Sequence, residues 1–307
     1  MQAKSLISVA DLTPAEMDSI IKYAAGTKKS LQPQVLAGKN LALIFEKPSL
    51  RTRVSFEVAI NQLGGSPLYL SPDEVGLGKR EPVEDVATVL GRYVDCIIAR
   101  TFAHASLEGL ARYSGVPVIN ALSDFEHPCQ ALADMLTIYE KKGRLKGLCL
   151  AYVGDGNNVA HSLLLAGANA GMHVRLASPA GYEVSSQIMQ KAKEIAAVSG
   201  SHISTTAEPQ EGVQDCDVIY TDVWVSMGQE GEAEGRRSIF RKYQVDKDLL
   251  ARAKSDVIFM HPLPAHHGEE VAPGVLRLPA SVVFDQAENR LYAQRALFVE
   301  MFRAARG

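Results

Sequence analysis

Ser49-Leu50-Arg51-Thr52-Arg53 joins an apolar run, Leu41-Ala42-Leu43-Ile44-Phe45, to a helix-like run from Val54 to Leu63. A strand, a short polar turn with two arginines and a helix opening gather backbone N–H groups, hydroxyls and guanidinium forks around one point, which suits phosphate. The chemistry this predicts is the holding of a phosphate ester or anhydride. A solvated turn whose Ser and Thr merely cap the helix would use the same residue types. Other segments have to separate the two readings.

Three of them fall where parallel strands are expected to end, the edge at which α/β sheets collect ligands. His127-Pro128-Cys129-Gln130 puts an imidazole at the cap of a helix and an amide three residues on, near the helix's positive end. Asp222-Val223-Trp224-Val225-Ser226-Met227-Gly228-Gln229-Glu230 follows the apolar run Val218-Ile219-Tyr220, and His261-Pro262-Leu263-Pro264-Ala265-His266-His267 follows Val257-Ile258-Phe259-Met260. His261, His266 and His267 cluster, but no H-E-x-x-H or Cys/His pairing accompanies them and a proline-locked turn is a poor scaffold for paired ligands, so no metal is expected. His104, His161 and His173 lie in runs explained by packing or solvent.

A nicotinamide dehydrogenase is the obvious rival, because Gly154-Asp155-Gly156-Asn157-Asn158 follows a strand and precedes a helix. The dinucleotide fingerprint fails there. Val159 occupies the place of the third glycine, and the next strand ends at Ala177-Ser178-Pro179 with no acidic residue for a ribose. The glycines read as close strand-to-helix packing, with the Asn158 amide left for a polar ligand. No cofactor is expected.

The elements that must position these groups follow from the alternation of short apolar or β-branched runs with longer amphipathic ones, the pattern of parallel α/β sheets. Predicted strands are Leu41–Phe45, Pro67–Leu70, Val94–Arg100 and Val116–Asn120 in the first half. In the second half they are Leu148–Val153, His173–Ala177, His202–Thr205, Val218–Val223, Val257–His261 and Val282–Asp285. Thr13-Pro14-Ala15-Glu16 reads as a capped helix start, Pro128 opens a helix to Tyr139, and Lys141-Lys142-Gly143-Arg144 marks a domain boundary. No internal repeat or low-complexity tract interrupts the pattern.

A chain of 307 residues, 47% hydrophobic, is long enough for two domains with sizeable cores. A formal net charge of −3 leaves no electrostatic footprint for nucleic acid or a membrane surface, which favours small soluble ligands. Cys96, Cys129, Cys149 and Cys216 lie far apart without metal-ligand spacing, as expected in a reducing cytoplasm. Met1–Ser5 lacks the apolar core of a signal peptide, and no apolar run approaches membrane-spanning length.

Taken together, the segments resemble the carbamoyltransferases, and most closely the ornithine carbamoyltransferases, over essentially the whole chain. Ser49–Arg53 matches the family's S-x-R-T-R phosphate loop, Arg100-Thr101 its R-[TG] turn, His127–Gln130 its H-P-x-Q and His261–Pro264 its H-[CP]-L-P. Asp222 with Ser226-Met227-Gly228 matches D-x-x-x-S-M-G, the loop that separates ornithine from aspartate enzymes. Arg295 falls in the closing helix, where the family has a ligand-binding arginine. Each motif alone is weak, whereas six in the right order are specific.

The resemblance implies that Ser49, Leu50 through its backbone N–H, Arg51 and Thr52 hold the phosphate of carbamoyl phosphate, joined by Arg295. Arg100, His127 and Thr52 would reach the carbamoyl oxygen, while Gln130 and the carbonyls of Pro262 and Leu263 would take the carbamoyl NH2. Asn158, Asp222, Ser226 and Met227 would hold L-ornithine, with Arg51, His127, Asp222 and Arg295 as the catalytic set. The implied fold is α/β, with two doubly wound parallel-sheet domains and an active-site cleft between them. Residues 1–142 would bind carbamoyl phosphate, 143–288 would bind ornithine, and a helix over 289–307 would return to the first domain. A homotrimer, or a multiple of trimers, in the cytoplasm and a place in arginine biosynthesis are implied as well.

Two departures from the family pattern stand out. Many ornithine enzymes have Cys where this chain has Pro262, and Gly76 stands where many relatives carry a Gln that reaches the neighbouring subunit's site. Carbamoyl transfer to putrescine, acetylornithine or aspartate would share the first-domain motifs. A non-catalytic binding paralogue would have no chemical need to keep Arg51, His127 and Asp222 together.

Overall fold

The computed structural model describes residues 5–225 and 230–303. It divides into two compact units, Met1–Leu136 with Asn289–Gly307, and Thr137–Glu288.

The first unit runs α1 (Pro14–Thr27), β1 (Asn40–Phe45), α2 (Leu50–Gln62), β2 (Ser66–Leu70), α3 (Pro72–Val75), α4 (Val83–Leu90), β3 (Cys96–Arg100), α5 (His104–Tyr113) and β4 (Val118–Leu122). Its four strands are all parallel in the order β2-β1-β3-β4. Every residue of β3 and all of β1 but Asn40 are buried, as a parallel sheet with both faces covered requires. Thr13 caps α1 with a reciprocal bond from Glu16, and Pro14 supplies the first turn, as the sequence predicts.

Helix α6 (Pro128–Lys142) leads into the second unit, which runs β5 (Cys149–Val153), α7 (Asn158–Asn169), β6 (His173–Ala177), α8 (Ser186–Ser199), β7 (Ile203–Thr206), α9 (Pro209–Val213), β8 (Val218–Tyr220), α10 (Ala233–Phe240), α11 (Lys247–Leu250) and β9 (Ile258–Met260). The sheet order is β7-β6-β5-β8-β9, again all parallel. One core lies on α9 to α11 and joins Trp224, Phe240, Tyr243 and Phe259. Helix α7 is buried from Val159 to Asn169, which fits a sequence that is apolar apart from Asn158, His161, Ser162 and Asn169.

Val282–Asp285, expected as a strand, is instead the entry to α12 (Val283–Arg303). Ser281 makes an isolated bridge to Phe259, and Val282 N–H donates to Phe259 C=O at 3.0 Å. The β-branched pair therefore touches the sheet edge for one bond only before the helical periodicity of the following residues takes over. The C-terminal helix consequently starts at Val283 rather than near Asn289.

Both sheets reverse their strand order once, between β1 and β3 in the first unit and between β5 and β8 in the second. In open α/β sheets such a switch point is where ligands collect, at the carboxyl ends of the strands. The candidate residues emerge there.

Candidate active site

In the first sheet Phe45 pairs with Arg100, and Arg100 with Leu122, so β1, β3 and β4 end level with one another. This brings the Ser49 turn, Arg100 and the start of α6 together although they are far apart in sequence. Ser49 is the N-cap of α2, its backbone extended and its hydroxyl oxygen accepting the Thr52 N–H at 3.4 Å. Leu50 is exposed and leaves its backbone N–H among the free donors of the first turn, and Arg51 is exposed beside it.

Thr52 is fully buried, and its Oγ1 accepts two bonds, from Ser49 Oγ at 2.9 Å and from Arg290 Nη2 at 2.6 Å. The mutual bond of the two hydroxyls uses one of their two protons and leaves the other for a ligand. Arg100 is buried, and among the described residues its Nε has no hydrogen-bond partner. Burial, with Arg290 and Arg51 nearby, lowers its pKa to about 10. His127 is buried too, and burial followed by the charges of Arg290 and Arg100 holds its pKa well below the usual imidazole range. The imidazole is neutral at physiological pH and donates or accepts without carrying charge.

Gln130 donates from Nε2 to Asp134 Oδ1 at 2.8 Å, which leaves its buried Oε1 without a partner among the described residues. The carboxylate beside it settles the orientation of the amide, because only the NH2 end can face an acceptor. An unpaired carbonyl oxygen is the complement of an NH2 group on a ligand.

Arg295 does not join this cluster. Its Nη1 donates to Gln62 Oε1 at 2.9 Å, its Nη2 to the Thr27 carbonyl at 2.8 Å, and the guanidinium stands over the Tyr292 ring at 5.2 Å. It ties α12 to the ends of α1 and α2 and is spent on packing. The α12 arginine that meets Thr52, Arg100 and His127 is Arg290, which sequence reasoning missed. The two are five positions apart, a rotation of about 140° on a helix, so they point to nearly opposite sides. Nothing in the local pattern says which side faces the ligand.

In the second unit Tyr152, Tyr220 and Met260 lie in register, so the segments after β5, β8 and β9 leave the sheet at one level. Asp222 is buried, and its Oδ2 accepts the Asn157 Nδ2–H at 2.8 Å. Burial raises its pKa above the ordinary carboxylate value, opposed by nearby His261, the Val223 N–H and the Asn157 amide. Asn157 is also the N-cap of α7, its Oδ1 accepting the N–H groups of Val159 and Ala160. Asn158, the residue singled out from the sequence, is half-buried at the first position of that helix. The capping signal could have identified Asn157, since Asn is a preferred cap, but its grip on Asp222 was invisible. Gly156 is required at the turn, because a Cβ there would stand 2.2 Å from Val184 N.

His261 is fully buried; its Nδ1 accepts the Leu263 N–H at 2.9 Å and its Nε2 lies 3.2 Å from Glu270 Oε1. The proton is therefore on Nε2 and donated to Glu270. Glu270 also accepts the His266 N–H at 2.6 Å, so it holds the two sides of the Pro262–Ala265 turn. Leu263 adopts a left-handed φ of 57°, which turns the chain sharply at the carbonyls assigned to the carbamoyl NH2.

His266, Glu269 and Glu270 bring candidate metal-ligand atoms within 4.8 Å of one another. Arg237 already engages Glu269 at 2.9 Å, and Glu270 serves the turn. His104, His161 and His173 accept or share bonds with Ser123, the Ser185 N–H and the His202 N–H, which are structural tasks. Gly76 closes α3 in the left-handed conformation and has no side chain to offer a neighbour. Ser226 and Met227 lie outside the described residues.

The first unit thus gathers three guanidiniums, a helix N-terminus and a neutral imidazole, a donor set suited to an anion. The second unit holds a buried carboxylate, a group suited to a cation.

Residues 4–140 match the family described as aspartate/ornithine carbamoyltransferase, carbamoyl-P binding domain. Residues 146–301 match the Asp/Orn binding domain of the same family. The chain is 54% identical over 301 residues to an ornithine carbamoyltransferase of Pyrococcus horikoshii, covering 97% of this chain and 95% of that protein. It is likewise 54% identical over 301 residues to an anabolic ornithine carbamoyltransferase of Pyrococcus furiosus, covering 97% and 96%. The solved ornithine carbamoyltransferase of Pyrococcus furiosus superposes with a TM-score of 0.95 at 52% identity, covering 98% of each chain.

Proposed function

The chain belongs to the aspartate/ornithine carbamoyltransferase family, and from that premise we propose that it moves the carbamoyl group of carbamoyl phosphate to the side-chain amine of L-ornithine, giving L-citrulline and phosphate. The observation that carries this reading is the buried grouping of Arg100, Arg290 and neutral His127 around Thr52, a positive site with an unused hydroxyl proton and an unused Arg Nε–H. Ornithine as acceptor rests on Asp222 and on the relatives that carry this name.

In the proposed reaction, the phosphate sits on the N-terminus of α2, against the N–H groups of Leu50 and Arg51, the Ser49 hydroxyl and the guanidiniums of Arg51 and Arg290. Arg100, Thr52 and His127 donate to the carbamoyl oxygen, and Gln130 Oε1 with the carbonyls of Pro262 and Leu263 accepts from the carbamoyl NH2. The neutral amine of ornithine attacks the carbonyl carbon, a C–N bond forms, and the C–O bond to phosphate breaks. Negative charge grows on the oxygen during attack, so donors already aimed at it lower the barrier without reorganising. The departing phosphate takes the proton released by the amine, and no covalent enzyme intermediate is needed. Asp222, Asn158, Ser226 and Met227 hold the amino acid.

Arginine biosynthesis is the proposed context, supported by the relative designated anabolic. A cytoplasmic setting is supported by four buried free cysteines. A homotrimer, or a multiple of it, is supported by the family resemblance and by exposed apolar side chains at Leu50, the first residue of α2, and Phe102, in the loop after β3.

Citrulline formation from carbamoyl phosphate, measured with ornithine, putrescine, acetylornithine and aspartate in parallel, tests the acceptor. Ornithine should have the highest kcat/KM. Preference for any other acceptor would refute the assignment.

A further inference from the structure

Arg236 and Asp155 form a buried ion pair beside the acceptor segment, both less than a tenth exposed. Two arms of the guanidinium are hydrogen-bonded and the third faces a carboxylate. Nη2 donates to the Asp155 carboxylate, Nε donates to the Trp224 carbonyl at 2.6 Å, and Nη1 lies 3.6 Å from Glu232 Oε2. The rings of Tyr182 and Phe240 lie 4.8 and 5.4 Å from its centre. A guanidinium bound in this many directions has one orientation.

Its grip falls at an informative place. Trp224 lies two residues after Asp222 and two before Ser226, beyond the end of β8, where the sheet ladder no longer holds the backbone. Asp155 is tied to the same segment by a second route. Its carbonyl accepts the Asn157 N–H at 2.7 Å, and Asn157 in turn holds Asp222 at 2.8 Å. Asp222, Asn157, Asp155, Arg236 and Trp224 thus form a closed ring of bonds, completed by the chain through Val223. A buried ion pair by itself adds little net stability, because desolvation offsets the attraction. What this one does is set where a backbone segment stands.

We propose that Arg236, anchored by Asp155, is a positioning residue for the amino-acid acceptor: it holds the Asp222–Val225 segment so that the Asp222 carboxylate is already aimed when the acceptor arrives. The proposal rests on the carbamoyl-transfer reading above. It adds the residue pair that controls affinity for the acceptor without touching either substrate. Pre-ordering the segment removes an ordering cost from acceptor binding and leaves carbamoyl phosphate binding alone.

The test compares wild type with Arg236→Lys, Arg236→Gln and Asp155→Asn, measuring both Michaelis constants, kcat and the ligand-free Tm. Arg236→Gln and Asp155→Asn should raise KM for ornithine by about tenfold or more while KM for carbamoyl phosphate stays within about twofold. Arg236→Lys keeps the charge but cannot bond Asp155 and Trp224 as a fork, so it should fall between wild type and the Gln variant. If the Gln variant does not fold, the Lys and Asn variants decide. Ornithine KM within about twofold of wild type in every folded variant would overturn the proposal. So would a parallel rise of both Michaelis constants following the fall in Tm, because that is general loosening. Wild-type activity separates the two levels: citrulline formation with unchanged variants removes only this inference, whereas a wild type inert toward ornithine removes the parent reading.

Discussion

Arg290 Nη2 donates to Thr52 Oγ1 at 2.6 Å, joining residues 238 positions apart and tying α12 to the turn proposed to hold phosphate. Arg290→Ala should therefore lower kcat/KM for carbamoyl phosphate by roughly a hundredfold or more. Arg295→Ala should do the opposite: it removes charged bonds to Gln62 and the Thr27 carbonyl, at about 2–3 kcal/mol of stability, and leaves carbamoyl phosphate kinetics near wild type. Kinetics and urea unfolding on the two variants check both halves. An Arg295 variant that is stable but kinetically crippled would reverse the assignment.

In the proposed reaction Arg51 faces the phosphate both when bound and as it leaves. Since phosphate charge grows toward the transition state, Arg51→Ala should depress kcat as well as raise KM for carbamoyl phosphate. Lysine should rescue only in part, lacking the bidentate fork. An alanine variant within a few-fold of wild type in both constants would refute the role.

Asp222→Asn retains an oxygen for the Asn157 bond but removes the carboxylate proposed to hold ornithine. Ornithine kcat/KM should fall about a hundredfold or more, with KM for carbamoyl phosphate little changed. A carboxylate beside an amine favours its charged form, so Asp222 contributes by positioning and not by deprotonating. The loss should persist at a pH where free ornithine is largely neutral. Full recovery there would contradict a positioning role.

His127 titrates far below an unfolded histidine, so between that low value and about pH 6.5 the unfolded chain binds a proton that the folded one does not. Stability from this residue is complete above about pH 6.5 and lost as pH falls, with a slope approaching about 1.4 kcal/mol per pH unit. Asp155, pushed up to about 6, has the opposite sign: its contribution is lost as pH rises toward 6. Total stability mixes the two, so the measurement is the difference between wild type and His127→Gln across pH 5 to 7. The wild type should gain on the variant as pH rises to about 6.5, and a flat difference would show that His127 is protonated in the fold.

Pro262 is buried, and its expected contact is a backbone carbonyl, which proline keeps. Pro262→Cys should change ornithine kcat/KM only modestly, since the turn is held by His261 and Glu270 as well as by the ring. The comparison that decides is ornithine kcat/KM for the two forms. A nearly inert wild type rescued by orders of magnitude in the cysteine variant would make the thiol essential.

Much of this protein was written locally. The alternation of buried strands with amphipathic helices, the caps at Thr13 and Ser49, the helix opening at Pro128 and the order of the ligand motifs all depend on neighbours within a turn or a strand. Periodicity and capping chemistry read such relations directly. The choice of Arg290 over Arg295, the grip of Asn157 on Asp222, the His261–Glu270 bond and the Arg236–Asp155 pair were decided only when distant elements docked. Val282–Asp285 shows the same limit at the level of an element, because a β-branched run with room for one bridge continues as helix. Which side of a helix meets a ligand, and which buried charge finds a partner, are properties of packing between segments. A one-dimensional pattern carries the residue types for that chemistry, and the fold decides which of them meet.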